Sequence, residues 1–300
     1  MPSTRSSFND DGFVLASASP TDADLATLST LLHDADAIVV GAGAGLSTAA
    51  GFAYSGPFFE EHFADFINAY GLTDMYSGGF YDFPSPEHKW AYWSRFIYFN
   101  RYEHAIGQPY HDLRMLLAGR EYFVITTNVD HCFQRAGFDK RRLFYTQGDY
   151  GLWQCSVPCH AATYDNEEIV RRMVAEQSDL RVPSELVPLC PRCGELMTTN
   201  LRADNTFVED DGWHAAAARY RSFLQRHSEG RVVYLELGVG GNTPGIIKYP
   251  FWRLTAANPH ATYVCANLGQ AFAPQAIIDR ALLLNTDLAE LLSSLRGAAE

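Results

Sequence analysis

Short, continuous apolar runs recur along the chain, and each ends in small or polar residues. The first run, AIVV at residues 37–40, leads directly into alternating glycine and alanine at 41–45 and then into helix-forming sequence at 46–50. Such a run is typical of a strand buried on both faces of a parallel sheet. Strand, glycine turn and helix together predict the opening of a nucleotide-binding α/β unit. The same pattern predicts further strands at residues 122–126, 232–237 and 262–265.

Helices are predicted before the first of these strands and after the last. Leu25, Leu28, Leu31 and Leu32 share one helical face, which predicts a helix over residues 20–34 with Thr21 or Asp22 as its N-cap. A closing helix is predicted over 288–295, after a capping segment at 285–287. Ligands of an open parallel sheet bind beyond the carboxyl ends of its strands, so we expect a site at residues 127–128, 238–240 and 266–267.

Two stretches break this alternation. Residues 58–117 are rich in aromatic side chains, some at helical spacing, and residues 148–230 carry two cysteine pairs and a polar segment. We interpret both as insertions. The predicted fold class is therefore α/β, a Rossmann-like parallel sheet with an inserted smaller helical and zinc-binding lobe. The predicted single domain (1–300) has its core at 21–57, 118–148 and 231–300, a helical insertion at 58–117 and a zinc-binding insertion at 149–230.

Composition and charge narrow the classes of function. The 300 residues are 47% hydrophobic and 19% charged, enough to bury a substantial core. A formal net charge of −12 argues against nucleic-acid binding, which depends on basic residues that meet phosphates. No apolar run approaches the roughly 20 residues of a membrane helix. Residues 1–15 also lack the apolar segment and cleavage site of a signal peptide. We expect a cytoplasmic protein with no nucleic-acid or membrane partner.

The six cysteines suggest a metal rather than disulfides in such a protein. Cys132 and Cys265 lie in apolar contexts and are interpreted as small core residues. The remaining four form two close pairs, Cys155 with Cys159 and Cys190 with Cys193. Both pairs have the spacing of a closed structural zinc site with four thiolates, although the 30 residues between them exceed the usual range of about 15–20. His160 is a neighbour that could substitute as a ligand, and four metal-free thiols are the alternative.

The glycine turn and the segment after residue 126 are the candidate sites of chemistry. Glycines let the backbone approach a pyrophosphate, but Leu46 and Thr48 break the G-x-G-x-x-G spacing of hydride-transfer dehydrogenases. A purely structural glycine turn therefore stays open as an alternative. Likewise, Asn128 or Asp130 in TTNVDHCFQRAG (126–137) could simply begin a helix. Scattered histidines are interpreted as surface or satisfied core residues: His62, His88, His104, His111, His131 and His214.

Taken together, the two segments resemble the sirtuin family. Residues 43–52 (GAGLSTAAGF) are similar to the sirtuin motif G-A-G-[IL]-S-x-x-[AS]-G-[IF], and residues 127–137 to T-[QT]-N-[IV]-D followed by A-G. The resemblance extends over roughly residues 25–298 and implies the sirtuin fold and NAD as a substrate.

The chain also departs from deacylating sirtuins. Residues 53–56 read AYSG where those enzymes have Pro-Asp-Phe-Arg, and Gln147-Gly148 stands where they have the catalytic His-Gly. Glutamine can hydrogen-bond a ribose but cannot act as a general base near pH 7. Loss of nicotinamide needs positioning and charge stabilisation rather than that base, so ADP-ribosyl transfer can survive the replacement.

This combination is similar to the macrodomain-linked (class M) sirtuins. The resemblance implies a protein ADP-ribosyltransferase, a lipoyl-carrier protein of the glycine-cleavage type as acceptor, and a macrodomain hydrolase that reverses the modification. It further implies that Asp130 holds the nicotinamide carboxamide, Asn128 the nicotinamide ribose region and Gln147 the ribose hydroxyls. The residues expected to contact the dinucleotide are Gly43, Ala44, Gly45, Ser47, Gly238, Gly240 and Asn267. An NAD glycohydrolase and a non-catalytic NAD or ADP-ribose sensor remain alternatives.

Overall fold

A computed structural model describes residues 12–16 and 18–297. The strands are β1 Phe13–Leu15, β2 Ala37–Ala42, β3 Tyr122–Thr126, β4 Leu143–Tyr145, β5 Gly148–Cys155, β6 Tyr164–Asp165, β7 Met197–Leu201, β8 Val232–Leu237, β9 Thr262–Ala266, β10 Phe272–Pro274 and β11 Ala281–Leu284. The α-helices are α1 Asp22–Asp34, α2 Ala44–Ala49, α3 Pro57–His62, α4 Ala64–Tyr70, α5 Met75–Gly79, α6 Pro86–Ile97, α7 Gln108–Leu116, α8 Cys132–Arg135, α9 Glu167–Glu176, α10 Asp211–Arg226, α11 Lys248–Ala257 and α12 Leu288–Gly297. A π-helical segment spans Tyr98–Glu103, and 3₁₀ turns span Lys140–Arg142, Ser184–Leu186 and Gln275–Arg280.

Six strands form one sheet in the order β11-β9-β8-β2-β3-β4, and every neighbouring pair is parallel. The chain runs outward from β2 through β3 to β4, and then returns to the other side of β2 as β8. Strand order therefore reverses between β2 and β8, the place where open parallel sheets bind ligands. The α/β fold class and the four predicted strands of the core are confirmed.

Side chains alternate across this sheet and separate two apolar clusters. Along β2, Ile38 and Val40 face a cluster covered by α1, α7, α8 and α12, whereas Ala37 and Val39 face one covered by α10 and α11. Both faces are covered by helices, which explains why β2 and β8 are buried along their whole length. Helices α7 and α10 fall within the ranges we predicted as insertions, yet they pack on this sheet.

Helix α1 begins at the expected residue. Thr21 Oγ1 accepts a hydrogen bond from the Asp24 N–H (3.3 Å), and the Asp24 carboxylate accepts one from the Thr21 N–H (2.8 Å). This reciprocal pair is a capping box, which satisfies two backbone donors that the first turn leaves without partners. Thr21 rather than Asp22 is therefore the N-cap.

A third apolar cluster lies apart from the parallel sheet. Aromatic residues of α3–α6 pack there against an antiparallel sheet of order β6-β5-β7. Trp90 of α6 meets Trp153 of β5 with ring centroids 5.1 Å apart, and Cys155 and Cys190 belong to the same cluster. Trp90 and Phe96 of the aromatic stretch are thus core residues, whereas Tyr76 and Phe80 of the same stretch are exposed.

No helix within residues 12–16 and 18–297 has both the length and the apolarity needed to cross a bilayer. The prediction that residues 1–15 carry no signal peptide concerns mainly residues 1–11, which lie outside the described residues.

Candidate functional site

Glycines bring the ends of β2 and β8 into direct backbone contact. The N–H of Gly43 donates to Leu237 O (3.0 Å), and the N–H of Gly45 donates to Gly238 O (2.9 Å). A Cβ on Gly43 or Gly45 would come within 2.7 Å of Gly238 backbone atoms, and Gly238 itself has φ +62°. Glycine is therefore required at these motif positions, because two chain segments approach each other too closely at the carboxyl edge of the sheet to leave room for a side chain.

Ser47 in α2 is the centre of a buried hydrogen-bond cluster at this edge. Its hydroxyl donates to Asp130 Oδ2 (2.5 Å), and the Tyr110 hydroxyl lies 2.9 Å away. Asn128 Nδ2 donates to Ser47 Oγ and to Gly43 O, both at 3.0 Å. The structure thus brings together Gly43, Ser47, Asn128 and Asp130, four of the residues predicted for the site.

Burial decides the electrostatics of this cluster. Desolvation raises the pKa of the Asp130 carboxyl, although hydrogen bonds from Ser47 and from the N–H of Cys132 oppose the rise. Burial also raises the pKa of Tyr110 well above its usual value, and it raises to about 12 the pKa of Tyr54, whose hydroxyl lies 3.3 Å from the Tyr150 hydroxyl. Both phenols therefore stay protonated near neutral pH and can donate hydrogen bonds there.

Gln147 lies in the turn between β4 and β5. Thr146 N–H donates to Thr126 O (3.0 Å), which continues the pairing of β3 with β4 and holds the turn beside the Asn128 segment. The next residue, Gly148, has φ +93°, and a Cβ there would lie 1.8 Å from Asn200 O. Gln147 is half-buried, and its backbone O accepts a hydrogen bond from Arg202 N (3.0 Å). Its side chain makes no hydrogen bond to Asn128 or Asp130 within the described residues.

The remaining predicted dinucleotide contacts lie at the same edge, where Ala44 follows β2, Gly240 follows β8 and Asn267 follows β9. Asn267 Nδ2 donates to Val239 O (3.1 Å), which ties the end of β9 to the segment after β8. Gly240 is exposed, with open space around the position of a Cβ, and Ala44 is exposed at the start of α2.

The sequence interpretation missed several residues near this edge. Tyr110 comes from α7, where no motif marks it. Asp149 is buried and accepts hydrogen bonds from Arg101 Nε (2.8 Å) and from the His131 ring. Burial raises the pKa of Asp149, but the hydrogen bonds and charges of His131 and Arg101 outweigh it and lower the pKa overall. His131, interpreted from sequence as an ordinary surface or core histidine, is thus paired with a buried carboxylate; its position directly after Asp130 was the available signal.

Comparison with solved structures shows the sirtuin fold. The chain matches a structure of Sir2Tm bound to a propionylated peptide with a TM-score of 0.58 at 20% identity, over 92% of this chain and 98% of that one. It also matches a complex of Sir2 with a p53 peptide and NAD⁺ (TM-score 0.55, 21% identity, 91% and 97% covered). No family model matches the sequence. A protein ADP-ribosyltransferase of Staphylococcus aureus is 41% identical over 268 residues, covering 89% of this chain and 85% of that protein.

This chain belongs to the sirtuin-family protein ADP-ribosyltransferases. The family resemblance predicted from residues 43–52 and 127–137 is thereby confirmed, as is the assignment to the transferase class of enzymes. The chain is also 34% identical over 231 residues to a probable bifunctional ADP-ribose hydrolase/ADP-ribosyltransferase of Fusarium oxysporum f. sp. cubense, which covers 73% of this chain but only 38% of that longer protein.

In this sirtuin-family transferase the four predicted cysteines form one cluster. Their Sγ atoms all lie within 4.8 Å of one another, with Cys155–Cys193 at 3.6 Å and Cys159–Cys190 at 3.7 Å. Four thiolates at the usual zinc–sulfur distance of about 2.3 Å would stand about 3.8 Å apart in a tetrahedron, so the donor set fits zinc. His160 Nδ1 lies 3.0 Å from Cys159 Sγ, while its Nε2 meets the Tyr164 hydroxyl.

The loop around Cys190 favours a metal-binding thiolate. The N–H of Cys190 donates to Glu195 O (2.7 Å), and the N–H of Gly194 donates back to Cys190 O (2.9 Å), which closes a tight turn. Burial raises the pKa of the Cys190 thiol, but the N–H groups of Arg192 and Cys193, together with hydrogen bonds from the Cys193 and Cys159 thiols, outweigh it and lower the pKa to about 7. This cluster could therefore hold a metal.

Proposed function

We propose that this chain is an NAD-dependent protein ADP-ribosyltransferase, which releases nicotinamide and transfers ADP-ribose to a protein acceptor. The observation that carries the proposal is the Ser47–Asn128–Asp130 cluster at the carboxyl ends of β2 and β3. It lies beside the contact of Gly43 and Gly45 with the end of β8, where strand order reverses, in a chain of this family. Open parallel sheets bind nucleotides at that point.

Each side chain of the cluster has a role that its chemistry supports. The carboxylate of Asp130 would accept a hydrogen bond from the carboxamide of nicotinamide, because an amide N–H is the kind of donor that a buried carboxylate needs. Asn128 would contact the nicotinamide ribose, and Gln147 its hydroxyls. The residues proposed to hold the rest of the dinucleotide are Gly43, Ala44, Gly45, Ser47, Gly238, Gly240 and Asn267.

The proposed reaction breaks the bond between nicotinamide and the anomeric carbon of its ribose, and forms a bond from that carbon to the acceptor. Nicotinamide leaves as a neutral molecule, so its departure requires no general acid. Orientation of the ribose by Asn128 and Gln147 is the contribution expected from the protein. The amide of Gln147 cannot take a proton from a ribose hydroxyl, which argues against the deacylase reaction.

The acceptor and the reversing enzyme follow from the class M resemblance. We propose a lipoylated carrier protein of the glycine-cleavage type as the acceptor, and a macrodomain hydrolase as the enzyme that removes the modification. The Fusarium relative supports the second suggestion, because its name joins an ADP-ribose hydrolase and an ADP-ribosyltransferase in one protein.

We further propose that the four cysteines hold a structural zinc ion. With Cys155, Cys159, Cys190 and Cys193 as ligands the site is closed, so the metal would stabilise the lobe of β5–β7 without taking part in the reaction.

The proposed function is tested by incubating the protein with NAD labelled in its ADP-ribose part. The carrier protein is supplied in lipoylated form, in unmodified form, or not at all. We expect labelled carrier and an equal amount of released nicotinamide. Nicotinamide release without labelled protein would favour an NAD glycohydrolase instead, and NAD binding without release would favour a sensor. An acetyl-lysine peptide should stay acetylated, and Gln147→His should not change this, because residues 53–56 also differ from the deacylases.

A further inference from the structure

The carboxylate of Asp149 joins three segments of the chain. Its side chain is only 4% exposed, at the start of β5. Oδ1 accepts hydrogen bonds from Arg101 Nε (2.8 Å) and from the N–H of Gly151 (2.7 Å), while Oδ2 contacts Nδ1 of His131. Arg101 lies in the π-helical segment Tyr98–Glu103, and His131 directly precedes α8. Asp149 thus links the helical insertion to both segments that carry proposed catalytic residues.

His131 adopts a backbone conformation that needs support. It has φ +65° and ψ +14°, and within the described residues only Asp179 and Leu180 are other non-glycine residues with positive φ. Such a conformation persists where the surroundings hold it, and it is common at functional sites. The contact with Asp149 is the hydrogen bond that fixes the His131 ring.

The conformation of His131 determines how the chain leaves Asp130. The N–H of Cys132, one residue beyond His131, donates to Asp130 Oδ1 (2.9 Å). This bond orients the Asp130 carboxylate, whose other oxygen receives the Ser47 hydroxyl. A change in the backbone at His131 would therefore move the Asp130 carboxylate.

Asp149 also acts on Gln147, through the backbone. Asp149 follows Gln147 by two positions, and the N–H of Tyr150 donates to Val129 O (2.9 Å). The start of β5 is thereby tied to the middle of the Asn128–Asp130 segment. A second link to the helical insertion comes from Arg135, whose Nη1 donates to Arg101 O (3.2 Å).

We propose that Asp149 is a positioning residue for ADP-ribosyl transfer, acting through His131 on Asp130 and through its own strand on Gln147. This inference rests on the proposed function. It separates the rate of transfer from the binding of NAD, because the backbone contact between the Gly43 and Gly238 segments makes no use of Asp149 or of its hydrogen-bond partners. Loss of the network should therefore slow the reaction more than it weakens the binding of NAD.

The first test is Asp149→Asn, which keeps the volume and removes the charge. We expect kcat for transfer to fall about tenfold or more, while KM for NAD changes less than about threefold. Asp65→Asn is the matched control, because Asp65 also accepts two hydrogen bonds from an arginine, Arg95 (both 2.7 Å), but within the helical insertion. The control should keep the kcat of the wild type, and thermal melting reports on the folding of both variants.

A second pair of variants covers the case in which Asp149→Asn does not fold. Asparagine tolerates positive φ and has an amide donor for Asp149, whereas glycine tolerates positive φ but has no donor. His131→Asn should therefore retain most of the activity that His131→Gly loses. Equal activity of these two variants, or wild-type kcat in Asp149→Asn, would overturn the positioning role alone. A wild-type protein that neither transfers ADP-ribose nor releases nicotinamide would instead overturn the proposed function.

Discussion

Replacing Lys248 with methionine tests how much the buried ion pair between Lys248 and Glu236 contributes to the stability of the fold. Lys248 is the first residue of α11, and its ammonium group contacts Glu236 Oε1 in the interior. The two side chains are 1% and 0% exposed, and the ammonium nitrogen lies 4.5 Å from the centroid of the Phe272 ring. The other oxygen of Glu236 accepts a hydrogen bond from the Tyr263 hydroxyl (2.7 Å). The variant would leave this carboxylate buried without its cation.

Breaking a buried ion pair from one side costs about 3–5 kcal/mol, because the remaining charge is neither paired nor hydrated. For a protein of this size, roughly 2 °C of melting temperature is lost per kcal/mol, so we expect Tm to fall by about 6–10 °C. The assay is denaturant and thermal unfolding followed by circular dichroism. The double variant E236Q/K248M should be less destabilised than K248M, because it removes the uncompensated charge.

Arg231→Met is the matched control for this prediction. Arg231 also pairs with a carboxylate, that of Asp36 at 3.0 Å, but the two side chains are 62% and 47% exposed. Water and salt screen such a pair, so its loss should leave the unfolding midpoint nearly unchanged. Equal destabilisation of K248M and R231M would refute the reasoning, since burial would then make no difference to the cost.

Three further predictions concern the metal, a glycine and acid stability. Metal analysis should find close to one zinc per chain, and Cys193→Ser should give unstable protein, because the free energy of metal binding contributes to the free energy of folding. A soluble, active and metal-free protein would contradict the zinc proposal. Gly148→Ala should lower the unfolding midpoint more than Gly119→Ala, since both glycines have positive φ but only at Gly148 would the new Cβ collide with another residue; equal losses would show that the collision with Asn200 is relieved at no cost. Because the pKa of Asp149 is lowered in the folded protein, its stabilising contribution is complete above the ordinary carboxyl value of 3.8 and is lost as the pH falls through the folded-state value. In acid titrations, the difference in unfolding free energy between wild type and Asp149→Asn should therefore narrow below about pH 4, and a difference that widens there would contradict the direction of the pKa shift.

The core of the fold could be predicted because its strands are buried on both faces. Continuous apolar runs mark β2, β3, β8 and β9 without reference to any other part of the chain. Strands β4 and β11 were not predicted, since they are three and four residues long and become strands only by pairing at the sheet edges. Their short sequences carry no periodicity of their own.

The residues of the candidate site also divide into those that the sequence could predict and those that it could not. Ser47, Asn128 and Asp130 lie in contiguous motifs, and the sequence alone indicated that they would share one edge of the sheet. Tyr110 reaches Ser47 across 63 positions of sequence, and Asp149 reaches Arg101 across 48. Such contacts depend on how α7 and the π-helical segment pack, which a single sequence does not specify.

The most direct measurement of the central claim is labelling of an acceptor protein by labelled NAD in Asn128→Ala and Asp130→Ala. Residues that orient a reacting centre commonly supply several kcal/mol, so we expect each variant to lose about 10²-fold or more of the transfer rate. Glu168→Ala, an exposed carboxylate in α9, should transfer at the wild-type rate. Transfer at the wild-type rate by both Asn128→Ala and Asp130→Ala would contradict the account, because the cluster around Ser47 would then not be the active site.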